Sequence, residues 1–191
     1  MGEITPSNEP LPDAASVLAG TPEAWVLKFA PLIPKGQILD LACGRGRHGR
    51  YFLDQQYPVT FLDQNVSGVA DLASYPTAKL VQYDLENKSP WPFQAALFSG
   101  IIVTNYLHRP LFPHLLAALK PRGVLLYKTF SLGNEQFGKP RNPDYLLQEN
   151  ELLTVFSERL TIVDFIQGKE SNPNRVTQAI CGIKTPNNES L

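Results

Sequence analysis

The chain has 191 residues, of which 43% are hydrophobic, 10% aromatic and 18% charged. That composition excludes global disorder, and the length suits one domain with a substantial core rather than two. Seventeen basic residues against eighteen acidic ones leave a formal net charge of -1, which supplies no overall field for phosphate backbones or anionic lipid, so nucleic acid is not expected as an obligate partner.

Met1 to Pro12 is rich in proline and polar residues and is expected to be frayed; it lacks the basic and apolar stretches of a secretory signal. From Asp13 to Phe29 the apolar spacing predicts two short helices, with Thr21 as N-cap and Pro22 at the first helical position. A single domain is expected over 13–185, with 186–191 as a tail. The run Gln37–Leu41 reads as a buried strand, followed by the turn Ala42-Cys43-Gly44-Arg45-Gly46 and a helix from Arg47 to about Gln55. Val59–Leu62 is a second strand ending at Asp63, Asn65–Leu72 is helical, and Ala78–Gln82 is a third strand ending near Asp84.

Ala96–Thr104 is almost continuously apolar, the mark of a strand covered on both faces. A helix over Leu111–Leu119 is expected to end at Lys120-Pro121-Arg122-Gly123, before a fifth strand over Val124–Thr129. Ser131–Tyr145 is a long connection at the carboxyl edge, a candidate lid in which Phe137 and Tyr145 close over a ligand while Lys139 and Arg141 bind an anionic group. A helix over Gln148–Phe156 precedes two strand-like runs, Leu160–Ile166 and Arg175–Ile183, which read as an antiparallel hairpin. The whole pattern predicts an α/β domain with a doubly wound, mostly parallel seven-stranded sheet closed by a C-terminal antiparallel hairpin.

Gly44-Arg45-Gly46-Arg47-His48-Gly49 satisfies G-x-G-x-x-G, which by itself suggests a dinucleotide site and hence an NAD-linked oxidoreductase. Asp40, four positions before Gly44, argues otherwise. A carboxylate pointing into the space of a pyrophosphate opposes that ligand. It favours S-adenosylmethionine (SAM), which has no phosphate and carries a sulfonium and an ammonium group, and glycines at 44 and 46 let the backbone approach it. Asp63, seventeen residues beyond Gly46, is placed to accept hydrogen bonds from a ribose diol. Asp84 is placed to accept from the adenine amine, with Leu85 against the ring. Any one of these acids can serve merely as a cap or turn acceptor; three at successive strand ends point to a ligand.

Ile38-Leu39-Asp40-Leu41-Ala42-Cys43-Gly44-Arg45-Gly46-Arg47 resembles the first motif of class I SAM-dependent methyltransferases, and Asp63 and Gln82-Tyr83-Asp84-Leu85 resemble the second and third. The resemblance covers about Lys35 to Ile183 and is nearest to small bacterial enzymes of the tellurite-resistance type. It implies a Rossmann-like methyltransferase fold, SAM as methyl donor, and cofactor contacts at Asp40, Ala42, Cys43, Gly44, Gly46, Arg47, Asp63, Gln64, Asp84, Leu85 and Asn105. Ala42 stands where many members have glycine, which narrows the turn slightly. The end of the fourth strand supplies the candidates for chemistry: Asn105 as a polar contact to the acceptor, Tyr106 as a ring wall and His108 as a base, or as the cap of the helix that Pro110 begins.

Arg45 and Arg47 are placed to neutralise the SAM carboxylate or to face solvent, and His114 is read as packed on an apolar helix. The histidines and the two cysteines, Cys43 and Cys181, lack metal-ligand spacing, so no metal is expected. The cysteines read as fillers of space, which fits a reducing, cytoplasmic setting. The expected acceptor is a small molecule, with nucleic acid and protein acceptors left open. No membrane partner is expected, and the oligomeric state is unassigned. A SAM-binding regulator without turnover is the third reading, because methyl transfer demands no diagnostic catalytic residue.

Overall fold

The computed structural model describes residues 20–87 and 89–186. The expected frayed segment 1–12, the helix expected from Asp13 and the tail beyond residue 186 lie outside the described residues. Alternating strands and helices build one seven-stranded sheet from β1 (Ile38–Leu41), β2 (Val59–Asp63), β3 (Ala78–Gln82), β4 (Phe98–Thr104), β5 (Leu119–Phe130), β6 (Leu160–Glu170) and β7 (Arg175–Lys184). Their order is β3-β2-β1-β4-β5-β7-β6. The first five run parallel, and β7 lies antiparallel between β5 and β6. The expected seven strands and closing hairpin are therefore present.

The helices are α1 (Ala24–Phe29), α2 (Arg47–Asp54), α3 (Phe112–Ala118) and α4 (Glu151–Phe156), with 3-10 turns at Ala30–Leu32, Val66–Ser74, Arg109–Leu111, Asn134–Gln136 and Pro143–Tyr145. Three expectations need correction. The helix placed after Thr21 starts at Ala24, with Glu23 in extended backbone as its N-cap and no side-chain capping bond. Asn65–Leu72 forms 3-10 turns rather than an α-helix, opened by the Asn65 side chain accepting from the Ser67 N–H at 3.0 Å. Lys120–Gly123 does not end a helix: β5 begins at Leu119, and the pairing slips from Phe98↔Leu119 to Gly100↔Val124, with Arg122 at φ 63°. The slip absorbs the Pro121 that a regular central strand cannot accommodate.

Strand alternation divides the core between two faces. Leu39, Leu41, Leu62, Ile101 and Tyr127 pack on one, under α3 and α4. Ile38, Phe61, Ile102, Leu126 and Ala179 pack on the other with Phe52 of α2 and with Trp25, Val26 and Phe29 of α1. Asp40 lies opposite Phe61 and Ile102 in the register, so it shares the face covered by α2. Its Oδ2 accepts from the Gly49 N–H at 2.8 Å, and the residue is 2% exposed. Gly49 is the third residue of α2, whose N–H has no partner within the helix. The carboxylate thus fills a vacancy in the helix terminus and meets the positive end of its dipole.

Gly49 also lets α2 lie close to β2. A Cβ there would stand 2.2 Å from Phe61 Cε1 and 2.6 Å from Cζ. We expect Gly49→Ala to destabilise the fold by about 1–3 kcal/mol in urea unfolding, although alanine is the better helix former by about 1 kcal/mol. Phe61→Leu in the same chain should recover part of that loss. A Gly49→Ala protein as stable as wild type would refute the close approach.

Burial raises the Asp40 carboxyl to about 7; the Gly49 hydrogen bond and the Arg47 charge pull it down in part, and Asp63 pushes it up. An unfolded aspartate releases its proton near pH 4 (about 3.9). The folded chain holds the proton through the interval between, so the contribution to stability is complete below about pH 4 and is lost as pH rises through about 7. Asp40→Asn keeps an acceptor for Gly49 without this titration. The stability of wild type relative to Asp40→Asn should therefore fall by on the order of a few kcal/mol between about pH 4.5 and pH 8. A constant difference across that range would show that Asp40 titrates normally.

Candidate active site

The parallel strands deliver Ala42, Asp63, Asp84 and Asn105 to one edge, beside the point where the order reverses between β1 and β4. Open α/β sheets bind ligands at such an edge. Two adjoining cavities lie there. One of about 160 Å³ is lined by Ala42, Asp63, Gln64, Tyr83, Asp84, Leu85, Glu86 and Tyr106. The other, about 360 Å³, is lined by Ala42, Cys43, Gly44, Arg45, Arg47, His48, Thr104, Asn105 and Tyr106. They share Ala42 and Tyr106, so one crevice runs across the carboxyl ends of β3, β2, β1 and β4.

The turn after β1 is shaped by backbone conformation. Ala42, Gly44 and Gly46 have φ of 53°, 55° and 71°, the left-handed region in which a Cβ costs about 1 kcal/mol or more. A Cβ on Gly44 would meet nothing within 4 Å, so its backbone borders open space. At Gly46 a Cβ would lie 2.6 Å from Val69 and 2.9 Å from Phe61. Gly46 is therefore required by packing beneath the loop and does not border the crevice, contrary to the expectation that both glycines face a ligand.

Asp63 is half-buried and locally fixed. Its Oδ2 accepts from the Gly44 N–H at 2.9 Å and its Oδ1 from the Asn65 N–H at 3.0 Å. These bonds aim the carboxylate and leave a lone pair on each oxygen for hydroxyl donors. Asp84 is exposed beside Leu85, with Oδ1 accepting from the Glu86 N–H at 2.9 Å. Gln64 is exposed on the same wall. Asp40 does not line the crevice. The expectation that its carboxylate points toward a ligand's phosphate is corrected, because β1 turns that side chain under α2.

Asn105, at φ 55°, follows β4 and donates its N–H to the Lys128 carbonyl at 3.0 Å, leaving its side chain exposed at the rim of the larger cavity. Tyr106 stands where the cavities meet and donates its hydroxyl to Glu86 Oε1 at 3.2 Å; burial and the Glu86 charge push its phenol above the ordinary range. His108 lines neither of these; it lines a third cavity of about 330 Å³ with Trp91 and His114, which adjoins the smaller one through the shared Tyr83, Leu85 and Glu86. His114 is exposed and stacks on Trp91 at 5.5 Å, rather than being packed in a core. His108 caps no helix with its side chain either.

His48 sits inside instead. Its Nε2 accepts from the Glu23 N–H at 3.3 Å, and its Nδ1 lies 3.5 Å from Thr104 Oγ1. Burial and the Arg47 charge lower its pKa to about 3, against a smaller opposing effect of Glu23, so the ring is neutral and structural. Arg47 lines the larger cavity but donates to Glu23 Oε1 at 3.2 Å and to the Thr21 carbonyl at 3.3 Å. Arg45 is exposed at the rim.

The expected lid does not reach this crevice. Phe137 lies under the Lys169 ammonium, 4.8 Å from its ring centroid, and Lys139, Arg141 and Tyr145 are exposed away from the lining. Arg45 and Arg47 are the cations that line the crevice; Lys128 of β5 and Arg175 of β7, which sequence reasoning passed over, meet Glu23 beside it. A lysine within the apolar run Val124–Phe130 was the available signal, since a charge there needs a partner.

Among the described residues no cluster suits a metal ion, and no helix is long and apolar enough to cross a membrane. Cys43 and Cys181 are buried free thiols.

No family model matches the sequence. A trans-aconitate 2-methyltransferase of Escherichia coli is 31% identical over 110 residues, which is 54% of this chain and 43% of that protein. The chain thus spans less than half the length of this curated relative. Among solved structures, a Burkholderia thailandensis 1,6-didemethyltoxoflavin-N1-methyltransferase with bound 1,6-didemethyltoxoflavin and S-adenosylhomocysteine superimposes at a TM-score of 0.64, with 21% identity, covering 85% of this chain and 77% of its own. TehB from Haemophilus influenzae superimposes at 0.66, with 19% identity, covering 84% and 61%. The strand order with its antiparallel β7 and these superpositions show that the chain shares the fold of those structures.

Proposed function

We propose that this protein binds SAM along the crevice and transfers its methyl group to a small-molecule acceptor, with release of S-adenosylhomocysteine. The observation that carries this reading is the run of lining residues from Asp84 through Asp63 and Gly44 to Asn105. It offers carboxylates at one end, exposed backbone in the middle and uncharged polar groups beside β4. In this assignment Asp63 accepts from the ribose hydroxyls, Asp84 and Leu85 hold the adenine, and Ala42, Cys43 and Gly44 follow the methionine portion. Gln64 closes the wall beside the ribose.

Gly46 and Asp40 act on the ligand through the loop they support. Arg47 is already paired with Glu23, so it contributes positive charge to the cavity without being a free clamp. SAM supplies an electrophilic methyl on a sulfonium: the acceptor's lone pair forms the new bond, the carbon–sulfur pair returns to sulfur, and the acceptor's proton passes to solvent. Asn105 and Tyr106 position the acceptor, and alignment with exclusion of water supplies much of the rate. His108, displaced beyond the adenine end, takes no part. A cytoplasmic setting belongs to this proposal, supported by the two free thiols.

Two results are expected. In calorimetry SAM should bind and NADH should not, and Asp63→Ala should weaken SAM by about tenfold to a hundredfold, the worth of charge-assisted hydrogen bonds to hydroxyls. Equal heats for both nucleotides would return the nicotinamide reading. In transfer of labelled methyl to a panel of small acceptors, His108→Ala should retain the wild-type rate within about twofold and the same pH profile. A large loss, or loss of one limb of that profile, would restore His108 as the base. SAM binding with no transfer to any acceptor would favour the regulator.

A further inference from the structure

Next to the larger cavity lies a cluster of five charges, of which Arg47 alone lines the cavity. Lys128 Nζ donates to Glu23 Oε2 at 3.1 Å and stands 2.9 Å from Glu170 Oε1. Arg175 grips Glu23 with both terminal nitrogens, NH1 to Oε1 at 3.1 Å and NH2 to Oε2 at 2.9 Å, while its Nε donates to Glu170 at 2.8 Å. Arg47 adds a third cation on Glu23. Three cations thus face two carboxylates, and Thr177 Oγ1 donates to Glu170. The Lys128 and Glu23 side chains are 8% and 10% exposed.

The location is on the acceptor side of β4. Lys128 is the register partner of Thr104, its carbonyl accepts from Asn105, and His48 touches both Thr104 and the Glu23 backbone. The two-pronged grip of Arg175 is the geometry by which a guanidinium recognises a planar carboxylate. Burial alone would raise the Glu23 carboxyl; the Arg175 hydrogen bond and the charges of Lys128 and Arg175 bring it down to about 2. Glu23 nevertheless belongs to the short non-helical stretch before α1, whereas Trp25, Val26 and Phe29 behind it are anchored in the core. Its backbone is held by His48 and by the Leu27 N–H, so release from the recess requires rotation of the side chain alone.

Resting on the methyl-transfer reading above, we infer that Lys128, Arg175 and Arg47 form the recognition recess for a carboxylate on the acceptor, and that Glu23 is the resident carboxylate with which it exchanges. The exchange replaces one negative charge by another, so no buried cation is left unpaired. It also makes binding weaker than the recess itself allows, because the competent state requires Glu23 to be out. Acceptors without an anionic group gain nothing from this recess and are discriminated against.

The test uses glutarate, whose terminal carboxylate and spacing repeat the glutamate side chain, with uncharged glutaramide as control, titrated into the full chain. Glu23→Gln should bind glutarate about tenfold more tightly than wild type, Glu23→Gln combined with Arg175→Gln should lose that gain, and glutaramide should bind none of them. Equal glutarate affinity in wild type and Glu23→Gln, or binding of glutaramide, overturns the inference. Should Glu23→Gln fail to fold by circular dichroism, Glu23→Asp takes its place: a smaller gain is expected, and no gain overturns. S-adenosylhomocysteine is titrated in parallel. Its binding without a glutarate gain removes the recess alone, whereas a glutarate gain without its binding removes the methyl-transfer reading.

Discussion

The hydrogen bond from the Gly49 amide to the Asp40 carboxylate sets the position of everything around the crevice. It ties the third residue of α2 to the strand beneath it, and so fixes the turn between them. Gly49 and Gly46 permit the approach, since Phe61 and Val69 occupy the space that side chains there would need. With the turn held from below, Gly44 can present backbone to the crevice and still donate to Asp63. The cost is a carboxylate at almost no exposure, which the helix terminus and Arg47 offset in part.

A second set of interactions does for the other end of the crevice what Asp40 does for the turn. Glu23, Lys128, Glu170 and Arg175 come from the leader (the described residues before α1), β5 and the two strands of the hairpin, and they meet where the carboxyl edge continues past β4. Such buried ion pairs contribute little net stability once desolvation is counted. His48 links the two sets, with one ring nitrogen on the leader's backbone and the other near Thr104 of β4.

Much of this was legible in the order of residues because it depends on short-range rules. Period-two and period-3.6 patterns located the strands and most helices to within a few residues, and the continuous apolar run of β4 marked it as central. Asp63 and Asp84 could be placed at strand ends for the same reason. Local rules misled where two chemistries compete. Lys120–Gly123 carries turn residues, yet the chain bulges and stays in the sheet. Pro22 and Thr21 suit a helix start, yet Glu23 is claimed by Lys128 and Arg175.

The sequence by itself determined the alternation of elements, the closing hairpin and the glycine turn, since backbone propensity and hydrophobic period act over a few residues. Only tertiary structure decided where side chains at those positions point. Asp40 faces α2 and not the crevice because strand parity puts it on the covered side. The connection Ser131–Tyr145 stands away from the site, and Lys128 and Arg175, which meet Glu23 beside it, come from far along the chain. Glu23 and Arg175 are 152 positions apart. No local pattern encodes that meeting; it exists because β7 inserts beside β5 and the leader folds back over the same edge.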